Sequence, residues 1–193
     1  MSLMRRRDAN VLIGGTAYAL TVILAVRPGC EELLSDRLKT WWQPGFSPFH
    51  LLPSTHFARL VILDRLAFEG PAQLQPEISQ QYLLFSATFD GACTTARDEY
   101  LESMCGRIKR HVESVFGLCA GAPRPVSDPV PFRDWLVANQ VKTRAFFAHR
   151  PQATVGDVRA ARALRERVRE FAIDHQYDRP DVLQRHFEAA FPR

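Results

Sequence analysis

The sequence predicts an α+β fold built on a ferredoxin-like βαββαβ unit with an antiparallel sheet. Several segments alternate with period two, are rich in β-branched and aromatic residues, and end at Gly, Pro or Asp. Between them, apolar residues recur at helical spacing. The strands are expected at 18–26, 56–63, 82–89 and 143–149, and the two main helices at 30–42 and 97–116.

The first strand carries apolar residues on both faces, which indicates that both faces are covered. The chain turns at Pro28-Gly29, and apolar side chains then recur at helical spacing from Cys30 to Trp41. The acidic pair Glu31-Glu32 lies at the start of this segment. Acidic residues at this position favour a helix N-terminus, because the peptide dipoles leave positive charge there. The first pair of elements is therefore a strand followed by a helix.

The second and third strands are separated by a loop at 70–81 that is too long for a tight hairpin. The second helix follows, and glycines 117 and 121 are expected to close it. A Pro-rich connection at 123–131 and a short helix at 132–139 lead to the fourth strand. This order leaves one sheet face covered by helices and the other bare.

A bare apolar sheet face has to be buried, and the usual solution for this unit is a homodimer with its sheets face to face, a dimeric α+β barrel. At 193 residues the chain favours one domain with appendages. We expect an N-terminal extension at 1–17, the ferredoxin-like domain at 18–150 and a helical extension at 151–193 packed on it. The extension is predicted to contain a helix at 154–174 and another beginning at Pro180.

Composition argues against several functional classes. The formal net charge is only +4, and the arginines are interleaved with acids, so no nucleic-acid partner is predicted. The four cysteines include no C-x-x-C pair, which indicates reduced thiols in a cytoplasmic protein. The apolar run at 11–26 is too short and too interrupted by Gly14-Gly15 to span a membrane, so no membrane partner is predicted either.

Three residues are candidates for a catalytic site: His56, Arg59 and Asp90. His56 and Arg59 lie three apart, so they point to opposite faces of a regular strand unless a bulge intervenes. The planar guanidinium of Arg59 suits a carboxylate ligand, and the alternative is that Arg59 pairs with an acid across the dimer or reaches solvent at a sheet edge. Asp90-Gly91 either stabilises a turn, in which Asp bonds nearby backbone N–H groups, or supplies a general acid or base at Asp90. The six histidines show no H-E-x-x-H or similar spacing, so no metal site is predicted.

Three segments carry a family resemblance: Leu20–Leu34, His56-Phe-Ala-Arg59 and Phe85–Gly91. They resemble a largely uncharacterised bacterial group of the dimeric α+β-barrel superfamily, which has distant similarity to dye-decolorising peroxidases and small monooxygenases. The peroxidases carry a Gly-x-x-Asp-Gly motif whose Asp cleaves peroxide at haem. Here Asp90 and Gly91 match that motif, whereas Ala87 replaces its first Gly.

The resemblance implies an oxidoreductase, peroxidase- or monooxygenase-like, with a pocket for a small apolar or haem-like ligand and with haem as one candidate cofactor. The alternative is a non-catalytic ligand-binding or protein-interaction module, in which the same residues serve turns and interfaces. If the chain is an enzyme, we expect His56, Arg59 and Asp90 to approach a common concavity.

Overall fold

The computed structural model describes residues 10–41, 46–66, 70–71 and 78–192. The chain forms two compact units, Met1–Val155 and Gly156–Arg193. In the first unit lie strands β1 (Ala17–Ala25), β2 (Thr55–Leu63) and β3 (Tyr82–Asp90), helices α1 (Glu31–Trp41), α2 (Thr94–Arg107), α3 (Lys109–Phe116) and α4 (Pro129–Ala138), and a 3₁₀ turn at Pro48–Leu51. Helix α5 (Val155–Asp174) begins at the end of that unit, and α6 (Pro180–Ala190) lies in the second.

The strands form one antiparallel sheet in the order β1-β3-β2, so β3 is central. The α+β prediction is confirmed at this level, and the three observed strands agree with their predicted bounds to within one residue. The reason is the strict alternation of their side chains. Every second residue of β3 is buried and the others are half-buried, as period-two patterning requires.

The two faces of the sheet differ in how they are covered. One face presents fully buried side chains, among them Tyr18, Phe85 and Phe89, to the helices. Phe89 stacks on Tyr100 of α2 with ring centroids 3.9 Å apart, and Phe85 meets Phe116 of α3 edge-on at 5.5 Å. The hydrophobic core therefore lies between this face and the helices. We call the opposite face, which is only partly covered, the open face; its residues include Ala19, Thr21, Ile23, Phe57, Arg59, Val61, Leu84, Ser86 and Thr88.

The predicted fourth strand at 143–149 is wrong, because these residues form no strand. The outer edge of β1, where that strand would pair, is taken up by three short segments. Along β1, the backbone groups of every second residue form hydrogen bonds of 2.7–3.4 Å with Asn10, Val141, Asn139 and Ala120, in that order. These backbone N–H and C=O groups of β1 are already paired, so they are not available for strand pairing with residues 143–149.

The predicted helix at 97–116 is two helices, α2 and α3. The break falls at Ile108, whose φ of −125° and ψ of 33° are not helical. Gly106 precedes it, and glycine weakens a helix because its backbone loses the most conformational entropy on ordering. The apolar stripe nevertheless continues across the break, since Met104, Ile108 and Val112 are all buried. The periodicity thus located the buried face correctly but not the break.

The short helix predicted at 132–139 is longer and begins at Pro129, three residues earlier. Proline favours the first turn of a helix, because its φ is fixed near the helical value and its missing N–H would have no partner there. The predictions of a helix at 154–174 and of another that begins at Pro180 agree with α5 and α6 to within one residue. Among the described residues, none lies in a helix long and apolar enough to cross a membrane.

Candidate functional site

His56 lies at a bulge in β2. The pairing of β2 with β3 shifts between Thr55 and Phe57, so that His56 is the extra residue with no partner on β3. A bulge re-aims the side chain of the extra residue, which a regular strand would have fixed on one face. The sequence had left this possibility open, and the structure shows that the bulge is present.

The bulge directs His56 to Asp90, the last residue of β3. The His56 Nε2 atom lies 2.7 Å from Asp90 Oδ1, and the two side chains are 24% and 25% exposed. An ionised carboxylate can only accept hydrogen bonds. With Asp90 ionised, His56 Nε2 therefore carries the hydrogen and donates the hydrogen bond to Oδ1. His56 Nδ1 then keeps a lone pair that is available to another molecule.

Asp90 is fixed by backbone groups as well as by His56. The Val155 N–H lies 3.1 Å from Oδ1 and 3.2 Å from Oδ2, at the first residue of α5. The Asp90 N–H donates to the Ser54 carbonyl at 2.9 Å, and the Gly91 N–H donates to the Thr16 carbonyl. Asp90 thus joins the beginning of β2, the end of β3 and the beginning of α5, and its carboxylate is held in one orientation.

Gly91 has little room for a side chain. A Cβ at this position would lie 2.9 Å from the Cβ of Ala96. Such a distance is too short for two carbon atoms. Gly91 therefore has a packing role, which differs from the turn role that the sequence analysis gave as the alternative to catalysis.

Arg59 lies on the open face but away from the pair. Its partner across the ladder is Ser86, which is four residues before Asp90. At the rise of a β-strand this places the two positions about 13 Å apart along β3. No hydrogen bond or ion pair joins the Arg59 side chain to another residue in the described part of the chain. The structure therefore brings together His56 and Asp90, and it does not bring Arg59 to them.

The pair can transfer a proton. An imidazole whose Nε2–H is held by a carboxylate is oriented, and the carboxylate stabilises the positive charge that forms when Nδ1 accepts a proton. This is the arrangement that a general base requires.

At the same end of the sheet, the Tyr100 hydroxyl lies 3.0 Å from the Thr55 hydroxyl. Burial raises the pKa of Tyr100 to about 12, so this phenol stays neutral.

The pair does not fit an axial ligand for haem. The ring nitrogen that a haem iron can approach without obstruction is Nε2, and here it is bonded to Asp90. Nδ1 is next to the ring carbon that is joined to Cβ, so it is the more crowded of the two nitrogens for a macrocycle. The haem expectation therefore gains no support from His56.

A second cluster was missed by the sequence analysis. His175, Asp178 and His186, all in the second unit, bring Nδ1, Oδ2 and Nδ1 within 3.0 Å of one another. The spacing H-x₂-D-x₇-H does not match a familiar ligand motif. A turn between two helices with Pro180 at the start of the second was the available signal, because a tight helical hairpin brings these positions together.

Comparisons with known proteins add nothing to these residues. The open face and the His56–Asp90 pair are features of the chain's own sequence and geometry. No protein-family model, no curated protein and no solved structure matches this chain.

Proposed function

We propose that this protein is an oxidoreductase that binds a small, largely apolar molecule on the open face and removes a proton from it with the His56–Asp90 pair. The observation that carries the proposal is the bulge, which takes His56 out of the ladder and places its Nε2 2.7 Å from an anchored carboxylate. Bulges are enriched next to active sites, where they re-aim a side chain. A His with no role beyond sheet pairing would not require one.

The proposed step breaks an acidic O–H or C–H bond of the ligand and forms an N–H bond at His56 Nδ1. The electron pair of the broken bond stays on the ligand, which becomes an electron-rich anion. Asp90 stabilises the imidazolium, and the Val155 N–H keeps Asp90 in place. Such an anion can give electrons to dioxygen, which would be the oxidant of a monooxygenase-like reaction, and this agrees with the reaction class that the family resemblance implies.

We further propose that the unit is ferredoxin-like and forms a homodimer through the open face, as in an α+β barrel. The order β1-β3-β2 is that of three strands of such a unit, and the short segment at Asn139–Val141 pairs with β1 where the fourth would lie. The open face carries half-buried apolar side chains such as Ile23 and Leu84. A second copy would exclude water from them and from a bound ligand, which strengthens the electrostatic contribution of the pair.

A cytoplasmic setting is part of the same proposal. All four cysteines are unpaired. Two of them, Cys105 and Cys119, are buried in the core, where burial raises the pKa of each thiol and leaves it unreactive. A reducing compartment suits such a chain.

The proton-transfer step can be tested without knowing the natural substrate. The probes are small 1,3-diketones with apolar substituents, whose central C–H exchanges with D₂O when a base removes it, and the measurement is the exchange rate by NMR. Because a positioned general base contributes roughly 10²–10⁴-fold, His56→Gln should lower the protein-dependent rate by about that factor. Asp90→Asn should lower it too, since the imidazolium then loses its partner.

His149→Ala is the matched control, because this exposed histidine lies outside the open face and does not touch the pair, and it should exchange at the wild-type rate. Exchange that is equal in wild type and His56→Gln would overturn the proposal, as would a wild-type rate no higher than buffer. A Soret band on haem addition that His56→Ala abolishes would contradict the geometry above and return haem to consideration.

The second candidate is a non-catalytic interaction module. Phe57, which is 58% exposed, and the exposed Arg59 both lie on the open face of β2. An aromatic and an arginine next to each other on an accessible face are typical of a binding interface. This alternative predicts self-association or ligand binding that depends on Phe57, with no exchange activity that depends on His56.

A further inference from the structure

The turn between α5 and α6 brings three potential metal ligands to one point. His175 follows the end of α5, Asp178 lies in the turn, and His186 lies on the second turn of α6. His175 Nδ1 is 2.7 Å and His186 Nδ1 is 2.8 Å from the same oxygen, Asp178 Oδ2, and the two Nδ1 atoms are 3.0 Å apart. All three residues belong to the second unit, so the cluster is formed by one helical hairpin.

Protons alone cannot satisfy all three contacts. If both histidines carry a hydrogen on Nδ1, each donates to Asp178 Oδ2, but two N–H groups then face each other at 3.0 Å. If only one Nδ1 is protonated, the other presents a lone pair to the carboxylate lone pairs. With Asp178 ionised and both histidines neutral, every placement of the protons leaves one of the three contacts between like groups, whereas a cation at the centre would be bound by all three atoms.

We propose that His175, Asp178 and His186 bind a divalent transition-metal ion, with Zn²⁺ the best match. Histidine nitrogens and an aspartate oxygen are zinc ligands, and tetrahedral bonds of the usual length place ligand atoms about 3.3 Å apart. The observed separations of 2.7–3.0 Å reach that value with small side-chain movements. Three protein ligands leave the fourth position to water or to a small molecule.

The charge and the solvent exposure of the cluster both favour binding of a cation. An aspartate carboxylate is ionised at neutral pH, so Asp178 supplies the negative charge that a cation site needs between two imidazole nitrogens. The three side chains are 27%, 27% and 47% exposed, so an ion has access from solvent.

The second unit has a reason to need a metal ion. None of its described residues, 156–192, is buried, and apolar side chains such as Leu164 and Phe187 are 50% and 48% exposed. Its helices meet mainly through an aromatic group in which Phe171 contacts Phe187 and Phe191, and His175 lies against Phe171 at 4.4 Å. A small element with so little buried surface is usually stabilised by disulfides or a metal. The ion would join the end of α5 to α6.

The experiment uses the full chain, without a polyhistidine tag, after treatment with a chelator. Zn²⁺ binding is measured by calorimetry, and Co²⁺ is added separately, because tetrahedral Co²⁺ absorbs visible light strongly. We expect one ion per chain. Removing a single ligand should weaken Zn²⁺ affinity by about 100-fold or more, since changes even in groups behind the ligands cost 10–100-fold. The variants are His175→Ala, Asp178→Asn and His186→Ala.

His149→Ala is the matched control, since His149 is an exposed histidine outside the cluster. It should bind Zn²⁺ like wild type. Amide hydrogen exchange gives a second readout that does not depend on activity, because Zn²⁺ should slow exchange within 171–190 in wild type and not in His186→Ala. Equal Zn²⁺ affinity in wild type and all three variants, or no binding by wild type, would overturn the proposal. The result is independent of the His56–Asp90 experiment.

Discussion

At the scale of single residues, the position of one extra residue decides the candidate site. The spacing of His56 and Arg59 predicted that they point apart in a regular strand, and identified a bulge as the exception. The bulge occurs, and it brings His56 to Asp90 and leaves Arg59 opposite Ser86. The chemistry of the pair thus depends on local backbone geometry that alternation alone does not encode.

Asp90 should stabilise the fold as well as orient His56. In Asp90→Ala, the Val155 N–H and the His56 ring lose their common acceptor. We expect the free energy of unfolding to fall by about 1–3 kcal/mol, which is the usual cost of leaving partly buried donors unpaired. Urea unfolding of the full chain measures it. Asp90→Asn, which keeps one acceptor oxygen, should lose less, and an equal loss in both variants would contradict the hydrogen-bond explanation.

Stability should decline at alkaline pH because of buried thiols. Burial raises the pKa of Cys119 from 9.0 to about 12 and that of Cys105 from 9.0 to about 11. Between about pH 9 and these values the folded chain holds protons that the unfolded chain releases, so unfolding becomes more favourable as pH rises. The free energy of unfolding should be highest below pH 9 and lower at pH 10.

The control for this decline is Cys119→Ala, measured by urea unfolding at pH 7 and pH 10. The variant should be less stable at both values, since it loses buried atoms, but its decrease between them should be smaller than in wild type. An identical decrease in both proteins would show that Cys119 does not cause the effect.

At the scale of secondary structure, periodicity located faces better than it located breaks. The stripe from Met104 to Val112 is buried without interruption, although the helix that carries it is broken at Ile108. The fourth strand shows the same limit for sheets. Residues 143–149 alternate as a strand would, but Asn10, Ala120, Asn139 and Val141 already occupy the edge of β1.

Helix α2 should be stabilised by alanine at Gly106. A Cβ at this position meets no atom within 4 Å, and the glycine is not in the left-handed region. Gly106→Ala should raise the free energy of unfolding by about 0.5–1 kcal/mol, because alanine loses less backbone entropy in a helix. Thermal and urea unfolding both measure it.

Gly121→Ala is the matched comparison, and it should act in the opposite direction. Gly121 has a φ of +71°, where a Cβ is strained, and that Cβ would lie 3.4 Å from Nε1 of Trp135. A stabilising Gly121→Ala, or a destabilising Gly106→Ala, would contradict the conformational argument.

At the scale of the whole molecule, the half-covered open face predicts self-association. We expect the chain to have twice its 22.0 kDa mass by size-exclusion chromatography with light scattering. Phe57→Asp places a charge on the open face and should shift the protein to the monomer, because an unpaired charge is costly to bury. Ile13→Asp is the control: this side chain is 78% exposed but lies outside the sheet, and the dimer should persist. A wild-type monomer would remove the barrel proposal.

The sequence by itself determined which residues form β1, β2 and β3 and where the C-terminal helices lie. These properties follow from side-chain alternation and spacing, which are local and therefore readable along the chain. Only the tertiary structure decided the three-stranded sheet, the His56–Asp90 pair and the His175–Asp178–His186 cluster. Each depends on backbone groups or side chains that are distant in sequence or re-aimed by a bulge or a turn, and no local pattern records such contacts.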